Sequence, residues 1–189
     1  MNIIFTGAQG TGKTTILNEM RNKGYEVITE VVRNLSKKGV KINKDGDEKG
    51  QKKIFDEYVK LFNSAPEGFV SDRGLVDVVS YTIYLSKCGK VSEKFANKQL
   101  KDLGKFLTEH PNYVYCYFPI EFDIADDGVR DLDKEFQNEI NKIILSVLAG
   151  YNMSFIVISG TVEERMAKIE KLETMNKLSE ELFVRINNM

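Results

Sequence analysis

The stretch FTGAQGTGKTT, Phe5 to Thr15, constrains this chain more than any other. Three glycines and a lone lysine stand between a short apolar run, NIIFT (2–6), and a helical pattern, TTILNEMRNKG, that closes at Gly24. Glycines at a strand-to-helix junction let the backbone turn so that successive N–H groups point inward. Those donors and the positive end of the following helix make an anion site. Read from Gly7, the run is G-A-Q-G-T-G-K-T, a full match to G-x-x-x-x-G-K-[ST], the Walker A pattern. Lys13 supplies a mobile charge for β- and γ-phosphates, and Thr14 a hydroxyl for Mg²⁺. A plain structural turn would need neither the lysine nor three glycines. The expected nucleotide-binding residues are therefore Gly7, Ala8, Gln9, Gly10, Thr11, Gly12, Lys13, Thr14 and Thr15. The sequence predicts that they hold a nucleoside triphosphate.

The rest of the chain repeats the alternation of short apolar runs and longer helical patterns. Strands are expected at 2–6, 25–29, 69–72, 113–118 and 154–159. Between them lie amphipathic helices, among them QKKIFDEYVKLFNSA, which puts Ile54, Phe55, Tyr58, Leu61 and Phe62 on one face. Residues 74–87, 92–109 and the run ending at Gly150 are also helical patterns. Residues 40–50 are polar and glycine-punctuated, which predicts a mobile loop. Thr161 and Glu164 form a capping box opening a last helical segment, about 161–189, whose stripe is Val162, Met166, Ile169 and Leu172. That stripe packs on the sheet or, in the alternative, binds a partner coil. Strands alternating with helices imply a parallel sheet covered on both faces. With the glycine loop, this is a three-layer α/β/α P-loop NTPase fold with a five-stranded parallel sheet and a short lid. Ligands of such sheets sit beyond the C-terminal strand ends.

Composition narrows the classes. At 189 residues the chain suits one domain. An apolar fraction of 42% supports a core, and a net charge of −1 lacks the basic excess of general nucleic-acid or membrane binders. His110 is the only histidine, which argues against histidine-based zinc sites and Ser-His-Asp triads. Cys88 and Cys116 are far apart and lack metal spacing, so they read as free thiols of a reducing compartment. No apolar run nears the roughly 20 residues of a membrane span, and the N-terminus is strand-like. The expected setting is the cytoplasm.

The other strand ends supply the remaining candidates. SDRG follows the third strand: Asp72 suits holding Mg²⁺ through water, and Arg73 suits clamping a phosphate or carboxylate. A bland reading makes them a surface pair, with Asp72 the cap of the next helix. EVVR follows the second strand, with Glu30 and Arg33 three apart. Glu30 can accept the proton of a substrate hydroxyl or hold the metal, or else form a solvated salt bridge. PIEFDIADDGVRD (119–131) has Gly128 for flexibility and a single cation, Arg130. It reads as a lid whose arginine reaches the transferring phosphoryl group, or as a surface loop in which Asp131 caps the next helix. Gly160 and Thr161, after the fifth strand, lie beside the adenine by topology. Tyr58, Phe62, Tyr81 and Tyr84 stack on a base or pack in the core.

The glycine loop, VITEVVR, FVSDRGLVDVVSY, YFPIEFDIADDGVRD and ISGTVEERMAKI together resemble a group of P-loop kinase-like domains. This is the AAA-type ATPase/kinase family linked to NAD metabolism, whose relatives include ribosylnicotinamide kinase domains; the wider group holds nucleoside and nucleoside-monophosphate kinases. The resemblance spans about residues 1–172. It implies that Lys13 and Thr14 contact ATP and Mg²⁺, that Asp72 and Arg73 face the phosphoryl acceptor, and that Arg130 lies in the lid. Glu30 matches the acidic position near the acceptor hydroxyl. Two departures stand out. The lid carries five carboxylates against one arginine, fewer cations than many monophosphate-kinase lids have. The chain also lacks the adenylyltransferase domain that accompanies some ribosylnicotinamide kinases.

The leading expectation is Mg²⁺-ATP-dependent phosphoryl transfer to a small nucleoside, nucleotide or related metabolite. The catalytic candidates are Lys13, Glu30, Asp72, Arg73 and Arg130, and the metal candidates Thr14 and Asp72. The acidic lid suits a cationic acceptor such as a nicotinamide riboside. Two alternatives stay open. One is a kinase acting on a base or end in DNA or RNA, for which Lys-rich segments at 37–53 and 87–105 would form the patch. The other is a nucleotide-binding regulatory ATPase, with 40–50 and the lid as moving parts.

Overall fold

The structure, a computed structural model, describes residues 1–122 and 133–187, the side chains of 177 and 179–187 excepted. Among the described residues, five strands alternate with helices: β1 (Asn2–Thr6), α1 (Lys13–Asn22), β2 (Val27–Ile28), α2 (Val31–Lys37), a 3₁₀ turn (Asn43–Asp45), α3 (Glu48–Ser64), β3 (Val70–Asp72), α4 (Leu75–Lys87), α5 (Glu93–Glu109), β4 (Tyr113–Tyr117), α6 (Lys134–Gly150), β5 (Phe155–Val157) and α7 (Val162–Asn187). The strands make one sheet in the order β2-β3-β1-β4-β5, and every pairing is parallel. The first strand of the chain is thus the middle of the sheet.

Alternation along β1 builds two cores. Ile3 and Phe5 face α1 and α7, burying Ile16, Leu17, Met20, Met166 and Ile169 with them. Ile4 faces the opposite layer, where α3, α4, α5 and α6 pack. Phe62 centres that layer, with Tyr58, Phe69, Phe106 and Tyr113 at ring distances of 5.3–6.1 Å. The result is the expected three-layer α/β/α architecture. Both cysteines are free thiols, and burial pushes the Cys116 thiol up to about 12. No helix among the described residues is long and apolar enough to cross a membrane.

The structure revises several sequence expectations. The second strand keeps only Val27 and Ile28, because Tyr25 turns back to close α1, its N–H donating to the Met20 carbonyl at 3.1 Å. Residues 40–50 form no open loop. Asn43–Asp45 is a 3₁₀ turn, and Lys44 reaches Asp133 on α6 at 2.7 Å. Asp47 then caps α3, accepting from the Gly50 N–H at 2.8 Å. The Thr161–Glu164 capping box is present: the Thr161 N–H donates to Glu164 at 2.8 Å, and the Glu164 N–H to the Thr161 hydroxyl at 3.3 Å. Met166, Ile169 and Leu172 pack on the sheet as the stripe requires, whereas Val162 stays exposed.

Phe62→Ala removes a side chain that is 4% exposed and touches four rings. It is expected to lower stability by about 3–5 kcal/mol, read as the shift of the urea unfolding curve at unchanged m-value.

Candidate active site

Three strand ends converge. Parallel pairing sets Phe5 beside Asp72 of β3 and Cys116 of β4, so the residues just beyond β1 meet those ending β3. The glycine loop occupies this position. Gly7, Gly10 and Gly12 all have positive φ, and a β-carbon at Gly7 would lie 2.5 Å from the Phe118 carbonyl oxygen. α1 begins at Lys13 with Gly12 as its N-cap and no side-chain cap, so its first N–H groups carry the helix's positive end into the loop.

Lys13 is 4% exposed and folds over this loop. Its Nζ donates to the carbonyls of Gly7 at 2.8 Å and Ala8 at 2.6 Å, and to the Thr11 hydroxyl at 3.0 Å. Thr14 turns the other way. Its hydroxyl donates to Asp72 Oδ2 at 2.8 Å, across 58 residues of sequence. A hydroxyl and a carboxylate held together beside a helix N-terminus form an all-oxygen pair suited to a hard divalent cation that keeps most of its water. Asp72 therefore does not cap the next helix: the N-cap of α4 is Gly74, whose N–H donates to Asp77 at 3.3 Å.

Asp77 is the residue that sequence reasoning missed here. It is 1% exposed, accepts from the Gly7 N–H at 3.2 Å, and pairs with Arg73 at 3.5 Å. Burial pushes its carboxyl above the ordinary value, against the pull of Arg73, Lys13 and its two backbone donors. One carboxylate thus ties the start of the glycine loop to the turn after β3. Its spacing, four residues after Arg73 in the first turn of α4, was the available signal. Arg73 adopts φ 91°, braced by Ser71, whose hydroxyl donates to the Arg73 carbonyl at 2.7 Å; its guanidinium lies 5.6 Å from the Tyr81 ring.

Glu30 also sits at positive φ, 62°, as the N-cap of α2, and pairs with Arg33 at 3.2 Å. For non-glycine residues this backbone is strained by about 1–3 kcal/mol and concentrates at functional sites. Glu30, Arg33, Asp72, Arg73 and Asp77 line one open cleft of about 1030 Å³ with the loop from Gln9 to Thr14. Its apolar wall includes Val31, Ile54, Tyr58 and Tyr81. The aromatics divide accordingly. Tyr58 and Tyr81 reach the cleft, Phe62 is core, and Tyr84 packs on Phe136 at 4.8 Å.

A second cleft, about 890 Å³, opens on the other side of the loop. Gly160 and Thr161 line it together with Gly12, Thr14, Thr15 and Phe122. Arg165, another residue missed from sequence, forms its floor. The guanidinium is buried, 5.5 Å from the Phe118 ring and 5.0 Å from the Phe122 ring. It donates to the carbonyls of Gly160 at 2.8 Å and Thr11 at 2.7 Å, and to Glu121. Glu121 would be raised by burial, but the Gly160 N–H and Arg165 hold it below the ordinary glutamate value. Arg130 and most of the expected lid lie outside the described residues, as does Asp131. Asp133 is the cap of α6, accepting from the N–H groups of Glu135 at 2.8 Å and Phe136 at 3.1 Å.

A family model described as an AAA domain matches residues 2–165. No curated protein matches the chain in sequence. Solved structures do match in fold. Deoxyadenosine kinase from M. mycoides, with products dCMP and a flexible dCDP bound, has a TM-score of 0.61 at 18% identity over 95% of this chain and 99% of that one. NadR protein in complex with NR has a TM-score of 0.71 at 15% identity, over 92% of this chain but only 50% of the NadR chain. Thymidylate kinase from Candida albicans has a TM-score of 0.62 at 13% identity, over 93% and 92% of the two chains. These are the groups that the sequence motifs resemble, and the likeness establishes a shared P-loop kinase-like fold.

Asp77→Ala would strip Arg73 and two backbone N–H groups of their shared acceptor. The expected loss is about 3 kcal/mol, the low end for breaking a buried pair, measured by urea unfolding. Asp77→Asn, which keeps one oxygen acceptor, should lose less.

Proposed function

The chain belongs to the AAA domain family, and on that premise we propose that it is a Mg²⁺-ATP-dependent phosphotransferase acting on a small nucleoside, nucleotide or related metabolite. The observation that carries the reading is the Thr14 hydroxyl hydrogen-bonded to Asp72 at 2.8 Å, at the uncapped N-terminus of α1 and at the mouth of a cleft holding Arg73 and Glu30. Thr14 and, through water, Asp72 would hold a magnesium ion, which would supply charge neutralisation to the phosphates.

The chain's own groups do the rest. The loop N–H groups and the start of α1 bind the triphosphate. Lys13 exchanges its bonds to the Gly7 and Ala8 carbonyls for contact with β- and γ-phosphate oxygens, so the same ammonium that closes the loop neutralises the substrate. Arg73 orients the acceptor from the turn after β3. Glu30 takes the proton of the acceptor hydroxyl or helps to hold the metal. Gly160 and Thr161 flank the donor base in the second cleft. Arg130, on the sequence alone, is the cation that stabilises the transferring phosphoryl group. Catalysis of this kind is positioning and electrostatics with little covalent participation.

The clefts also bear on the acceptor. Deoxyadenosine kinase and thymidylate kinase, similar in fold over nearly their whole length, act on nucleosides and nucleotides by name, and NadR was solved with NR. The cleft beside Arg73 has Tyr58 and Tyr81 on its wall, rings on which a base can stack. A screen of nucleosides, nucleotides and short oligonucleotides for acceptor-dependent ADP release tests the assignment. Steep salt dependence with an oligonucleotide would select nucleic acid as the acceptor. Hydrolysis undiminished without any acceptor would select a regulatory ATPase instead.

Lys13→Ala is expected to abolish turnover in a coupled ATP-consumption assay, since each cationic contact to the transferring group contributes about 2.7–4 kcal/mol by analogy with oxyanion donors. Full activity in that variant would remove the loop from the mechanism. Arg73→Ala should lower kcat/KM for the acceptor while leaving the KM for ATP within about threefold, a split that separates acceptor binding from donor binding.

A further inference from the structure

The carbonyls of the glycine loop are gripped from outside by two side chains that the phosphate-binding pattern does not contain. Gln137, on α6 and 3% exposed, donates its Nε2 to the Gln9 carbonyl at 2.7 Å. Arg165, on α7 and 2% exposed, donates its Nη1 to the Thr11 carbonyl at 2.7 Å. A trans peptide carries its C=O and the next residue's N–H on opposite edges of one plane. Fixing the Gln9 carbonyl therefore turns the Gly10 N–H away from Gln137. Fixing the Thr11 carbonyl turns the Gly12 N–H away from Arg165.

Those two peptides need such a grip. Gly10 and Gly12 sit at φ 75° and 84° with no β-carbon to resist rotation, so their N–H groups are the loop donors freest to turn. Arg165 is itself immobilised: Nε holds the Gly160 carbonyl, the second terminal nitrogen holds Glu121, and the rings of Phe118 and Phe122 lie 5.5 and 5.0 Å away. A β-carbon on Gly12 would lie 2.8 Å from its Nη1, so the third glycine of the motif makes room for the guanidinium as well as for the turn.

We propose that Gln137 and Arg165 are positioning residues that set the Gly10 and Gly12 peptides for a polyphosphate before it arrives. Both act through the loop backbone: they remove the reorganisation that a pair of glycine peptides would otherwise undergo on binding. The inference rests on the triphosphate reading above, and it predicts that the effect follows the phosphates and not the base.

The test is calorimetric titration of the full chain with Mg²⁺-ATP and, separately, with Mg²⁺-tripolyphosphate. Gln137→Met keeps the length and volume of the side chain but cannot donate, and Arg165→Lys keeps the charge but loses the three-way fork. Both variants are expected to weaken ATP and tripolyphosphate by tenfold or more and by similar factors, with thermal melts confirming a folded protein. A folded variant that binds ATP like the wild type overturns the proposal, because a merely structural role lowers the melting temperature and leaves affinity alone. Loss of ATP binding with tripolyphosphate binding intact also overturns it, since the side chain then serves the base. Should Arg165→Lys fail to fold, Gln137→Met decides alone. A wild-type chain that binds neither ligand sinks the triphosphate reading itself, which distinguishes that failure from this one.

Discussion

Everything at the cleft depends on one backbone segment, Gly7 to Gly12, having to leave the middle of a sheet and enter a helix within six residues. β1 pairs with β3 on one flank and β4 on the other, so the loop has no lateral freedom at its base. Asp77 takes up the Gly7 N–H, Gln137 the Gln9 carbonyl, and Arg165 the Thr11 carbonyl. Each anchor comes from a different helix: α4, α6 and α7. The loop is flexible by composition and rigid by surroundings, which is the combination that preorganised anion binding requires.

The two clefts inherit their linings from this arrangement. On one side, the end of β3 and the turn after it set Asp72 and Arg73 against the loop, with Glu30, the cap of α2, and Arg33 on that helix beyond them. On the other, the turn after β5 sets Gly160 and Thr161 against it, held by the capping box and by Glu121. Lys13 and Thr14 stand between, the first engaged with the loop's own carbonyls and the second with Asp72.

What was legible in the sequence was local. The glycine pattern, the alternation of strands and helices, the Thr161–Glu164 box and the carboxylate ending β3 are short-range statements, and the fold carries all four. What was illegible was made by distance. Gln137 meets Gln9 across 128 residues and Arg165 meets Thr11 across 154, and nothing in a neighbouring spacing announces either. Nothing in the run TVEERM marks its arginine, and only the fold sets it 5.5 and 5.0 Å from the rings of Phe118 and Phe122. The 40–50 segment misled for the opposite reason. Its glycines and charges are loop-like by composition, yet Asp47 serves as a helix cap and Lys44 as an ion-pair partner, roles that polar residues fill equally well.

Glu30 and Arg73 combine two features that pull against each other: a charged side chain and a left-handed backbone that favours glycine. Any replacement by glycine there relaxes the main chain and at the same time erases the charge. At Arg73 that relaxation would leave the buried Asp77 without its cation, so of the two codons only that of Glu30, whose partner Arg33 is half-exposed, would be drawn toward glycine by selection for heat tolerance alone.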